Sequence, residues 1–450
     1  MIKLNHKYKL SHGERAVRNI KRRVENISSI IRYKLSPEHF TRNRKMSFAK
    51  TIYYTLNKKG LTSKMEISEF NELLDCEDIS SSAVLKQREK YSADIFIDLL
   101  RENLLDFYFN FKEDVKLYKN KYVLIAIDGT DMEIPNTKTS REYARPKKQK
   151  REEEVPRLHI SNAFDVLNHF IVDTNIGLEH TSEQLQAEEH LEIIKSYDLP
   201  FPIIRIMDRG YVSIRDIFYS VQNDDKFIIR LKSKDFDEEQ RKVLSDDAEV
   251  DLNLIKRLKY YEKYYKDIDP EFIKLAKSQK TVKVRITKIR LSTGEAEYLI
   301  SNLGKQEFTK NELRELYGLR WQIELNYHIL KESLKIEAIT SSKPELIRQD
   351  IYSGMLAFNT LQTFINDSNY KIDQSKYLHH MKINTNMAAG FFKKYFILAI
   401  IEMGTPKASY YLDQMRAHIE KYLEPVRKGR NYERKKDKKN KYSINKRKAF

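Results

Sequence analysis

Tyr122-Val123-Leu124-Ile125-Ala126-Ile127-Asp128-Gly129 is the stretch on which the fold turns. An unbroken apolar run this short, rich in β-branched residues and closed by Asp-Gly, is the signature of a buried strand. The downstream sequence continues the theme. Arg157 to Leu167 and His169 to Asp173 read as two further strands, joined by a tight turn at Asn168. Ser182 to Tyr197 is an amphipathic helix, Ile203 to Met207 a strand ended by Asp208-Arg209-Gly210, Ile214 to Gln222 a helix, and Lys226 to Leu231 a strand. Three strands, then helix, strand, helix and strand, predict an α/β fold with a mixed sheet and helices packed against it.

Residues 235–300 interrupt this order. They begin acidic, pass through a polar stretch with Tyr260, Tyr261, Tyr264 and Tyr265, and end in a hairpin whose turn is Ser292-Thr293-Gly294-Glu295. The segment reads as a mostly β insertion. Beyond it the spacing predicts one long helix from Asn311 to Leu334, another from Glu345 to Ile365, and a helical region over 371–426. On the N-terminal side, Val17, Ile20, Val24, Ile27 and Ile31 recur at helical intervals within a basic arm (1–46). Residues 47–118 read as helical throughout. There, serines at 80–82 offer N-caps to a helix bearing Lys86, Arg88 and Lys90. A helix, turn and helix of this kind suits a groove-reading unit that contacts DNA through Lys86 and Arg88, and it equally suits a plain helical bundle. The division is therefore 1–46, 47–118, a core split into 119–234 and 301–370 by the insertion, 371–426, and a basic tail at 427–450.

Composition bounds the function. With 450 residues, 40% hydrophobic and 11% aromatic, the chain builds a sizeable core, which excludes wholesale disorder. The longest apolar run, Tyr395 to Ile401, falls far short of the roughly 18 residues that span a bilayer. The N-terminus is polar and basic rather than a secretory h-region. A single cysteine, Cys76, excludes an internal disulfide and a thiolate zinc cluster, as expected of a reducing compartment. The net charge of +18 is unevenly placed. Residues 1–50 hold 14 Lys and Arg against three Glu, and 427–450 hold 12 against two acids, so the intervening body is close to neutral. Basic segments flanking a balanced body suit a polyanion such as DNA, because each neutralised phosphate releases counterions. The tail has almost no apolar face to insert into a membrane.

Carboxylates supply the candidate chemistry. Asp128 follows the first strand and Asp208 the fourth, each with glycine within two residues to turn the backbone and expose the carboxylate. Singly, each is a turn or cap residue. At neighbouring strand ends, the pair makes a site for a hard cation. On the helix from Asn311, at 100° per residue, Tyr317, Arg320, Glu324 and Lys331 fall within one 60° stripe, and Leu316, Leu319, Ile323, Leu330 and Leu334 share an adjacent apolar face. The helix packs on its leucines and holds the charged stripe at the margin, toward a cleft. None of the eleven histidines has chelating spacing.

The spacing Tyr317-x2-Arg320-x3-Glu324-x6-Lys331 resembles the Y-R-E-K signature of insertion-sequence transposases of the IS-four type. Asp128-Gly129-Thr130 resembles that family's first acidic block and Asp208-Arg209-Gly210-Tyr211 its second. The resemblance covers about residues 47–370 and is strongest at these blocks. It implies a ribonuclease H-like core with helices on both faces of the sheet, and an Asp128–Asp208–Glu324 triad holding two Mg²⁺, with Mn²⁺ able to substitute. It implies DNA contacts by Tyr317, Arg320, Lys331, Arg209 and Tyr211. The partners implied are double-stranded DNA, as terminal inverted repeats and as target, and a second copy of the chain in a homodimer, in the bacterial cytoplasm near the nucleoid. Asp131 and Glu133 read as surface residues of the loop after the first strand. Members of the family that place a tryptophan in the insertion differ from this chain, whose only tryptophan is Trp321 in the third block. A DNA-binding regulator without chemistry and a nuclease without strand transfer are the competing readings.

Overall fold

The apolar run that opens the core forms an interior strand, third from one edge, of an eight-stranded sheet. In order along the chain the strands are β1 (Val123–Glu133), β2 (Arg157–Asp165), β3 (Phe170–Leu178), β4 (Ile203–Met207), β5 (Lys226–Leu231), β6 (Asp247–Asn253), β7 (Thr281–Arg290) and β8 (Ala296–Ser301). Their spatial order is β3-β2-β1-β4-β5-β8-β7-β6. β1, β4 and β5 run parallel, and every other neighbouring pair is antiparallel. This computed structural model describes residues 10–74, 79–144, 155–178, 181–243, 245–264, 268–290 and 295–426. The basic tail, Cys76 and the turn at 292–294 lie outside the described residues.

Helices cover both faces of this mixed sheet. Side chains along a strand alternate between faces. In β1, Val123, Ile125 and Ile127 join one hydrophobic cluster, with Ile217, Phe218, Leu258 and Phe272 from the covering helices. Leu124 and Ala126 join the other, with Leu316, Ile323, Leu330, Met355 and Phe358. The helix Pro344–Asn369 runs through this second cluster with 19 of its 26 residues buried, among them polar residues such as Gln349, Asp350 and Asn359 that find hydrogen-bond partners inside.

Three expectations change. The 235–300 segment is not mostly β: helices Leu254–Tyr264 and Pro270–Gln279 occupy its middle, and Tyr261 is a buried core residue rather than part of a polar stretch. Its strands also form no separate layer, because β8 pairs with β5 and extends the core sheet. Among the described residues the N-terminal segment contains two helices, not one. His12–Val24 ends before Asn26, which caps Ile27–Tyr33, so Val17, Ile20 and Val24 are buried while Ile27 and Ile31 are exposed. Nor is His12–Val24 a free arm: Gly13 donates its N–H to Asp367 of the long helix at 3.0 Å. No helix among the described residues is long and apolar enough to cross a membrane.

His12 in that packed helix is 5% exposed and stacks on Phe107 at 4.9 Å. Burial pushes its imidazole down to about 4 from the ordinary 6.5. Above pH 6.5 it is neutral whether the chain is folded or not, and nothing is lost. As pH falls from 6.5 to 4, only the unfolded chain takes up the proton, and the fold loses up to about 3 kcal/mol. His12→Phe should flatten that part of the pH dependence of thermal unfolding.

Candidate active site

Alternation and register place the first two carboxylates. Asp128 has the parity of Leu124 and Ala126, and Asp208 that of Ile204 and Ile206, so both face the second cluster. Ile127 and Met207 are paired in the parallel β1–β4 ladder, which sets the two aspartates side by side one residue further on. Asp128 does not end its strand, however. β1 continues to Glu133, with Asp128 paired to Asn162 and Gly129 to Ser161. Asp131 and Glu133 therefore sit on the strand, not in a loop: Asp131 lies 3.0 Å from His159, and Glu133 pairs with Arg157 at 3.2 Å.

Gly129 is consequently not a turn residue. A Cβ there would strike the His159 imidazole well inside van der Waals contact. Gly129→Ala should displace that ring and cost roughly 1–3 kcal/mol of stability, readable in a urea titration. Gly210 does sit in a turn, the 3-10 turn Arg209–Tyr211 that follows Asp208, and it also leaves room for the Glu183 carboxylate.

The third carboxylate arrives on a broken helix. Thr309 and Glu312 form a capping box at the start of Lys310–Gly318, and the chain bends at Leu319 and Arg320. It resumes as Trp321–His328 and closes with a π-turn, Ile329–Ser333. The expected continuous helix to Leu334 is thus three pieces. Their leucine face still packs inward, with Leu316, Ile323 and Leu330 fully buried.

The charged stripe meets the aspartates. The Tyr317 hydroxyl donates to Asp208 Oδ1 at 3.2 Å. Arg320 is the hub: its Nη2 lies 2.9 Å from Glu324 and its Nη1 3.6 Å from Asp128. Lys331 donates to Thr130 Oγ1 at 2.8 Å and to the Asp131 carbonyl at 3.0 Å, and pairs with Glu337 at 3.1 Å. The Tyr327 hydroxyl fastens helix to strand by donating to the Asp128 carbonyl at 2.6 Å.

The electrostatics reflect this crowding. Burial pushes Asp128 up to about 6, Glu324 and Asp208 add to the rise, and Arg320 opposes it. Burial also acts upward on Asp208, but the Arg209 N–H, Arg230, Arg320 and Tyr317 together hold it below its ordinary value. The donor set is hard carboxylate oxygen, the chemistry that suits Mg²⁺ or Mn²⁺. Among the described residues no three His, Cys, Asp or Glu side chains stand in metal-ligating geometry. In this structure it is the Arg320 guanidinium that lies between Asp128 and Glu324.

Two expected DNA contacts are corrected. Arg88 is fully buried and pairs with Asp350 at 2.6 Å, so it serves the interior. Tyr211 is 2% exposed and packs beneath the site. Their neighbours Lys86 and Arg209 are exposed. Arg230 is a site residue that sequence reading missed. From β5 its Nε lies 3.0 Å from Asp208 Oδ1 and its Nη1 2.7 Å from Glu297. A lone arginine inside the apolar strand Lys226–Leu231, on the face opposite Phe227 and Ile229, was the available signal.

The family model described as transposase DDE domain matches residues 119–360, more than half of the chain. The chain belongs to this family. It is 24% identical over 244 residues to transposase InsG for insertion sequence element IS4 of Escherichia coli (strain K12), covering 53% of this chain and 51% of that one. It is 33% identical over 70 residues to the transposase for insertion sequence element IS421 of Escherichia coli, covering 16% and 19%. The chain thus spans about half the length of the first of these curated relatives and less of the second. Among solved structures, a piggyBac transposase synaptic complex with hairpin DNA aligns at a TM-score of 0.37 and 10% identity, covering 89% of this chain and 82% of that one. In the DDE family a divalent cation is generally expected, and Asp128, Asp208 and Glu324 are the residues of this chain that suit it.

Proposed function

We propose that this protein binds the ends of its own mobile element, cuts them, and joins the freed 3′ ends to target DNA. The observation that supports this is the convergence of Asp128, Asp208 and Glu324, from two strands and a helix, around Arg320. Asp128, Asp208 and Glu324 would hold two Mg²⁺, which supply charge stabilisation for in-line displacement at a phosphodiester. The chain's own cations do the positioning. Arg320, whose fork matches a phosphate in two-point contact, releases its carboxylates to grip the backbone next to the scissile bond. Lys331, anchored on Thr130, presents a point charge to the next phosphate. Tyr317 keeps the Asp208 carboxylate aimed. Handling two ends together calls for a homodimer, working in the bacterial cytoplasm on nucleoid DNA.

The experiment combines purified protein, labelled duplex from the DNA flanking its gene, a supercoiled target and Mg²⁺. Joined product is the expected result. Binding without cleavage would make the chain a regulator, and cleavage without joining a nuclease; either outcome overturns the proposal.

A further inference from the structure

Where the N-terminal helices meet the core, a small, mostly apolar-walled cavity is lined also by Lys58, Lys335, Lys393 and Asp350. Its volume is about 50 Å³. One water needs roughly 10–15 Å³, so a tetrahedral oxyanion fits. The walls come from four distant parts of the chain: the loop at 57–60, the segment leaving the π-turn at Lys335, the long helix at Asp350, and helix Thr385–Ile401 at Lys393.

Of the three lysines, Lys393 is the one without a carboxylate partner among the described residues. Lys58 donates to Asp350 Oδ1 at 2.6 Å and to Thr340 at 2.8 Å, and Arg88 donates to the same Oδ1 at 2.6 Å. One buried carboxylate thus serves the buried Arg88 and the half-buried Lys58. Glu66 Oε1 is taken up by the backbone N–H groups of Lys59, Gly60 and Leu61. Lys335 meets Glu332 at 3.3 Å. The Lys393 ammonium has the Lys59 carbonyl at 3.3 Å, and among the described residues no carboxylate stands within ion-pair distance of it. Burial pushes both Lys58 and Lys393 down to about 8, with Asp350 and Glu66 respectively opposing the shift. Half-buried cations in this state gain from an anion that joins them.

The backbone adds an independent sign. Lys335 has φ +57°, a left-handed conformation that at a helix end usually selects glycine or asparagine. Gly60, at φ +89°, lies so close that a Cβ would meet the Lys335 Cβ at 2.6 Å. The position carrying the conformational penalty is therefore the one whose side chain lines the cavity.

We propose that this cavity is a binding site for a phosphate group, held by Lys58, Lys335 and Lys393. The phosphate is either free inorganic phosphate or part of a DNA backbone. Occupancy ties the loop of the N-terminal helices to the segment that leaves the helix of Glu324 and Lys331, so filling the site stiffens the join between the two regions.

The test titrates the full chain with inorganic phosphate at constant ionic strength, using chloride as control, and follows calorimetric binding and thermal midpoint. Phosphate should bind and raise the midpoint of the wild type. Lys393→Met and Lys335→Gln should each weaken phosphate binding by about tenfold or more. Lys393→Met removes a half-buried charge without a carboxylate partner among the described residues, so its midpoint in chloride should equal or exceed that of the wild type, which shows that it folds. A second arm adds a short duplex. If a DNA phosphate is the natural occupant, inorganic phosphate weakens duplex binding by the wild type but not by Lys393→Met. If free phosphate is the occupant, it leaves duplex binding alone. Both results uphold the site. Absence of phosphate binding, or equal binding by the wild type and both variants, overturns it.

Discussion

Asp208→Asn should abolish Mg²⁺-dependent nicking of element ends, by about 10³-fold or more, while duplex binding stays within about threefold of wild type. Asparagine keeps the shape of the side chain, and its amide oxygen still accepts from the Tyr317 hydroxyl and the Arg209 N–H. Arg230 keeps Glu297 at 2.7 Å, so no buried cation is left without a partner. What is lost is one of three negative charges and the best ligand among them, since Asp208 is the aspartate held ionised by its neighbours. A 10³-fold loss corresponds to about 4 kcal/mol of transition-state stabilisation, the scale of a charge interaction in a site partly closed to water. Asp208→Ala should behave alike in chemistry. Nicking at the wild-type rate by either variant would remove Asp208 from the site.

The second large effect is on stability. Asp350→Leu should lower it by about 3–5 kcal/mol, because Lys58 and Arg88 are then buried with no carboxylate between them. Arg88 is wholly inaccessible, and its remaining partners, Gln349 and the Leu346 carbonyl, are neutral. A shift of the urea midpoint measures the loss. Replacing all three, with Lys58→Met, Arg88→Met and Asp350→Leu together, should recover most of it, since well-packed apolar residues commonly match a buried ion cluster. Failure of the triple variant to recover would mean that the cluster is needed for shape rather than for charge balance.

Much of the site was legible because it rests on two short-range regularities. Reading Asp128 and Asp208 as ends of neighbouring strands put the two carboxylates together, although β1 in fact runs on through Asp128 to Glu133, and 100° per residue gave the Tyr317-Arg320-Glu324-Lys331 stripe. Both survive in the structure even though the helix bends at Leu319 and ends in a π-turn, because the leucine face still dictates which side packs. What stayed hidden depends on long-range contact. Arg88 looked like a surface residue until the long helix brought Asp350 against it. Tyr211 looked exposed until the sheet closed over it. Gly129 suggested a turn, whereas the close neighbour is His159, thirty residues on and across a strand. Arg230 was missed because its role is defined by partners from two other strands.

The joining of β8 to β5 has a mechanical corollary. Glu297 occupies the face that meets Arg230 only in the present register. A slip of a single residue between those strands would swing Glu297 to the far side of the sheet. Arg230 would then be left to Asp208 alone. A graft that imported the intervening segment from a cousin would therefore keep the charge balance around Asp208 only if it also reproduced that alignment, which makes the segment a tuned neighbour of Asp208 and not an interchangeable cassette.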